Sequence, residues 1–97
     1  METDKIAALF ACLGQSTRLE ILKLLAPVSK GKATIGLTAG RIATMLGVAP
    51  PTLSFHLKDM TLRNLLTQRR MGREVLYLAN LPMILSTMAD LVEELEK

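Results

Sequence analysis

Three features of this 97-residue sequence predict a mainly α-helical domain carrying one small β-hairpin. Apolar residues recur at three- and four-residue spacing near both ends of the chain, the stripe of an amphipathic helix. Two helical segments in the middle are separated by Gly47-Val48-Ala49-Pro50, a four-residue turn containing glycine. Arginines then flank Met71-Gly72-Arg73, with strand-forming residues on either side.

Ile6, Leu9, Phe10 and Leu13 define a first helix that ends near Gly14. A second follows, with a Ser16 or Thr17 hydroxyl as cap and Thr17 and Glu20 at capping-box spacing; it carries Leu19, Ile21, Leu22, Leu24 and Leu25 and stops at Pro27. The next stretch, 28–36, reads as loop, with Thr34-Ile35 a short edge strand. Thr38 caps a third helix, Ala39 to Leu46, expected to bury Ile42, Met45 and Leu46 and to end on a left-handed Gly47. A fourth runs from Pro51 to about Asn64, because proline is tolerated at a first helical position, while Pro50, as the residue before a proline, is expected outside it. Leu65 to Arg70 and Glu74 to Leu78 pair as a hairpin in which Gly72 supplies a positive φ. A last helix opens at Leu81-Pro82 and carries Ile84, Leu85, Met88, Leu91, Val92 and Leu95. This order, α-α-(β)-α-α-β-β-α, is that of a winged helix-turn-helix, and residues 1–97 are expected to form one such domain.

Composition narrows the function. The chain is 49% hydrophobic with no Trp, so the core is aliphatic, and so much apolar material in a small domain points to surface covered by a second copy. Its longest uncharged stretches fall short of the ~20 apolar residues of a membrane span, and the opening Met1-Glu2-Thr3-Asp4-Lys5 has no secretory pattern, so a cytoplasmic protein is expected. One cysteine, Cys12, and one histidine, His56, allow neither an internal disulfide nor a zinc site, and no nucleophile and base pair is apparent. No metal, cofactor or enzymatic activity is therefore expected. Net charge is +3, yet between Arg18 and Arg73 ten basic residues face only Glu20 and Asp59, a local excess of +8. A basic middle between acidic ends points to a polyanion, with double-stranded DNA as the expected partner.

Several motifs in this order resemble one family. Ser16-Thr17-Arg18-Leu19-Glu20-Ile21-Leu22, Gly36-Leu37-Thr38-Ala39-Gly40-Arg41-Ile42-Ala43, Thr52-Leu53-Ser54-Phe55-His56-Leu57-Lys58 and Arg69-Arg70-Met71-Gly72-Arg73-Glu74-Val75-Leu76-Tyr77 are similar to stretches of the ArsR/SmtB repressors, and the likeness spans nearly the whole chain. The resemblance implies a homodimeric repressor that binds a palindromic operator and leaves it in response to a signal. It departs from the family at Pro50 and Pro51, where relatives often carry Gln and Ser, and at Phe55, where they carry His or Arg. The metal-binding thiols and imidazoles of sensing relatives are also absent, and the last helix offers only Asp90, Glu93, Glu94 and Glu96.

Leu53, Leu57 and Met60 form the inward stripe of the fourth helix, which leaves Thr52, Ser54, Phe55 and Lys58 to face DNA behind Pro51. Hydroxyls can pair with base edges or phosphates, the Phe55 ring can meet a thymine methyl, and free first-turn N–H groups favour a phosphate. His56 shares the inward side and reads as a half-buried, hydrogen-bonded imidazole ahead of a base reader, though it stays among the candidates. Arg69, Arg70 and Arg73 are candidate phosphate or minor-groove contacts and Arg41 a candidate backbone contact. Ile6 and Phe10 with Ile84, Met88, Leu91 and Leu95 are expected at the dimer interface, an assignment the resemblance shares. The competing reading is a winged-helix protein-interaction module whose basic face is incidental.

Overall fold

The computed structural model describes residues 2–31 and 35–97. Helices α1 (Glu2–Leu13) and α2 (Ser16–Leu25) lead through a single 3-10 turn, Ala26–Val28, to the two-residue strand β1 (Leu37–Thr38). Helices α3 (Ala39–Leu46) and α4 (Pro50–Leu62) follow, then the hairpin β2 (Leu66–Met71) and β3 (Glu74–Ala79), and finally α5 (Leu81–Leu95). The sheet is antiparallel with strand order β1-β3-β2, so β2 lies at the edge.

The core lies where α2, α3 and α4 meet the base of the hairpin, and Ile21, Leu25, Ile42, Leu53, Leu57, Met60, Leu65 and Leu66 are fully buried there. The inward stripe of α4 is therefore the one expected. In α3 the buried pair is Ile42 and Ala43, while Met45 stays 52% exposed. On so short a helix the apolar arc centres on Ile42 and Leu46, one turn apart, which turns Met45 outward. Along α5 only Thr87 is buried, its hydroxyl donating to the Met83 carbonyl at 2.9 Å, and Leu85, Met88, Val92 and Leu95 face out.

Caps explain the remaining boundaries. Gln15, not Ser16 or Thr17, caps α2: its side-chain oxygen accepts from the Arg18 N–H at 3.1 Å while its Nε2 donates to the Thr17 hydroxyl at 3.2 Å. That occupies the hydroxyl expected to cap, and Glu20 pairs with Lys23. Thr38 caps α3 and Gly47 ends it at φ 65°, both as expected. Pro50 is helical after all, because the first two positions of a helix have no intrahelical use for an N–H, so both prolines fit there. At its other end α4 stops two residues early, where Asn64 takes φ 64° and the Leu65 N–H reaches back to the Met60 carbonyl at 2.9 Å.

The small strand falls at Leu37–Thr38 instead of at residues 34–35: Thr34 lies outside the described residues and Ile35 is not in a strand. Gly36, at φ 75°, decides the position, since a Cβ there would sit 2.7 Å from the Tyr77 carbonyl oxygen on β3. Only glycine lets the chain approach that strand and pair Leu37 with Tyr77. Ser29 adds a second tie, donating to the Leu25 carbonyl at 2.6 Å and accepting from the Ala79 N–H at 2.7 Å. In the wing Met71 pairs with Glu74, so the turn is Gly72-Arg73, with Gly72 at φ 60°.

Replacing Ile42 with Ala removes side-chain volume from a closed core and should lower unfolding stability by about 2–5 kcal/mol in urea titration. The same change at exposed Met45 should stay within about 0.5 kcal/mol, and equal losses would mean that both faces of α3 are packed.

Candidate nucleic-acid interface

The outward face of α4 presents Thr52, Ser54, Phe55 and Lys58, all exposed, behind exposed Pro51. Its head is poorer in donors than the sequence suggests. The backbone of Pro50 and Pro51 has no N–H to offer and the Leu53 N–H closes on the Ala49 carbonyl at 3.0 Å, which leaves Thr52 to supply the N–H for an anion within the first turn. Phe55 is 65% exposed, its ring edge-on to His56 with centroids 5.7 Å apart.

His56 is hydrogen-bonded as expected and buried more fully than expected, only 8% exposed, with Nδ1 accepting from Arg18 Nε at 3.1 Å. The same guanidinium donates through Nη1 to Asp59 Oδ2 at 2.6 Å and to Cys12 Sγ at 3.0 Å. Arg18 thus joins α1, α2 and α4 behind the outward face. Arg63 adds a second pair to the same Asp59 oxygen at 3.0 Å. Hydrogen bonding from Arg18 holds the Asp59 carboxyl below its usual 3.8, with Arg63 adding to the effect. Burial, then the charge of Arg18, push the His56 ring below its usual 6.5, and Asp59 opposes them.

Neither Arg18 nor Asp59 was among the candidate site residues, and Arg18 had been counted with the basic face. The legible signal was the i, i+4 spacing of Asp59 and Arg63 beside a histidine in an apolar stripe. The other cations are placed as expected: Arg69 and Arg70 on the exposed edge strand β2, Arg73 in its turn and Arg41 on the surface of α3. Strand β2 also packs against α4, so wing and helix form one continuous unit.

Comparison with known proteins identifies the fold's relatives. Residues 15–67 match the model of the bacterial regulatory proteins of the arsR family, more than half of the chain. This chain belongs to the arsR family. It is therefore a DNA-binding transcriptional regulator, of a family that is not enzymatic. An ArsR-like transcriptional regulator from Rhodococcus sp. RHA1 is 27% identical, with a TM-score of 0.79 over 94% of this chain and 79% of that one. A homodimeric winged helix-turn-helix DNA-binding domain from Mycobacterium bovis is 25% identical, with a TM-score of 0.70 over 97% and 82%. The antimony-specific transcriptional repressor AntR is 26% identical, with a TM-score of 0.69 over 97% and 82%. None of the curated proteins compared with the chain matches it. Among the described residues no three His, Cys, Asp or Glu side chains converge as a metal site, and no helix is long and apolar enough to cross a membrane.

The histidine carries a pH consequence. The unfolded chain takes up a proton near pH 6.5 that folded His56 accepts only at lower pH, so stability should fall as pH drops from 6.5 through the folded value. The slope is at most about 1.4 kcal/mol per pH unit for one proton. Urea titrations at pH 7.5 and 5.5 should show that loss in the native chain and a smaller one in His56→Gln; equal losses would mean that His56 is not the group responsible.

Proposed function

We propose that the protein is a cytoplasmic homodimeric repressor, one domain per subunit, that binds a palindromic operator and leaves it in response to a signal. The observation that carries this reading is the exposed face of α4, with Thr52, Ser54, Phe55 and Lys58, on a helix that packs elsewhere against the hairpin bearing Arg69, Arg70 and Arg73. In this reading α4 enters the major groove, the wing and Arg41 rest on phosphates, and Phe55 meets a thymine methyl. His56 acts from behind, as a support for Phe55.

Dimerisation is supported by the apolar surface of the end helices. Phe10 on α1 and Leu85, Met88, Val92 and Leu95 on α5 are all exposed, Leu95 at 75%, and a small isolated domain rarely leaves such a surface open. Ile84 and Leu91 are half-buried beside them, whereas Ile6 is already buried within the subunit, so its part in the interface is support from beneath. The homodimer from Mycobacterium bovis supports dimerisation, and the repressor AntR supports the repressor role.

Selection from a random duplex pool should enrich a palindrome with half-sites about one helical turn apart, ~34 Å. With Arg41, Lys58 and the three wing arginines on phosphate in both subunits, the log–log salt slope should approach about −9; one shallower than about −3 would refute this docking. Arg70→Ala with Arg73→Ala should weaken all sequences alike, while Ser54→Ala should relax one position per half-site. A stable dimer that enriches no sequence would overturn the operator reading.

A further inference from the structure

A cavity of about 290 Å³ lies between α1, α5 and the turn that joins α4 to β2. Its walls are apolar where Ala8 and Leu9 of α1 face Leu65 and Met83. Two cations, Lys5 and Arg63, line it as well. Lys5 makes no salt bridge among the described residues, and Arg63 is engaged through Nε with Asp59. Apolar walls with a few placed charges are the pattern of a small-molecule site, and the volume stands at the small end of that class.

We propose that this cavity binds a small amphipathic organic anion, a carboxylate on an apolar body of roughly ten heavy atoms. The body lies against Leu9, Leu65 and Met83 and the carboxylate meets Lys5 and Arg63. A neutral or cationic molecule of the same shape gains no charge-assisted hydrogen bond from Lys5 or from the Arg63 donors that Asp59 does not use, so selectivity for the anion is built into the lining.

Occupancy is communicated through Arg63. Its Nε donates to Asp59 Oδ2 at 3.0 Å, the same oxygen that accepts from Arg18 at 2.6 Å, and Arg18 holds the His56 ring beneath Phe55. A carboxylate that draws Arg63 toward the cavity leaves Asp59 to Arg18 alone and shifts the balance of bonds behind the DNA-facing side of α4. Binding in the cavity is independent of the operator reading; only the effect on DNA rests on it.

The test is an NMR titration of the intact protein with sodium octanoate, following the Met83 methyl and His56 ring signals, with 1-octanol as the neutral control. Octanoate should shift Met83 saturably and bind about tenfold tighter than 1-octanol, the contribution of one charge-assisted hydrogen bond. Lys5→Gln should reduce that preference, and Arg63→Gln should both reduce it and stop the His56 signals from moving. Equal affinity for acid and alcohol, or an unmoved Met83, overturns the site, and an unmoved His56 in the native protein with octanoate bound overturns the coupling. With a selected duplex present, saturating octanoate should change operator affinity about fivefold or more. Unchanged affinity would refute a regulatory effect, whereas a protein that holds no duplex counts against the operator reading and leaves the methyl titration to judge the cavity.

Discussion

One guanidinium ties three helices of the molecule together. Arg18 spreads its donors over Cys12 on α1, His56 and Asp59 on α4, all at 3.1 Å or less. A planar fork suits this work, since its N–H groups point in fixed directions and a lysine could not serve the same partners together. The guanidinium side chain is 12% exposed and that of Asp59 27%, so removing the arginine would leave the buried His56 ring without its hydrogen-bond donor and Asp59 with Arg63 as its remaining partner. The contact of Arg18 with Asp59 joins the core packing of Leu53, Leu57 and Met60 in fixing how α4 lies against α1 and α2.

The elements of the fold were legible because each had a local cause. Thr38 and Gly47 bracket α3, the apolar stripe fixes the inward face of α4, and Gly72 sets the turn of the wing. Some of what sequence missed was local, such as the Gln15 cap and the outward Met45, and the rest came from groups meeting across long separations. Nothing near Arg18 announces Asp59, 41 residues away, nor does Ser29 reveal that it will hold β3 at Ala79. The position of β1 turned on a clearance at Gly36, which no periodicity encodes. For the candidate site, the outward residues of α4 and the basic wing were readable from spacing and charge, whereas the ranking of charges was not: Arg18, counted with the basic middle, is spent inside the fold.

The two prolines alter the chemistry at the head of α4 while leaving its geometry intact. They fit its first turn without strain and fix its φ angles, yet they take away two N–H groups that a helix N-terminus otherwise offers to an anion. In the proposed docking, the exposed ring of Phe55 offers shape and apolar contact, and more of the attraction to phosphate falls to the arginines of the wing.

Those arginines have a second effect, on the protein's behaviour away from any partner. A three-stranded sheet has two open edges, and each is a template on which another chain could add a strand. Here β1 guards one edge by being only two residues long, and β2 guards the other with Arg69 and Arg70. Two wings brought edge to edge would set like charges against each other, so the positive charge that favours nucleic acid also keeps the hairpins of neighbouring molecules apart and the protein in solution.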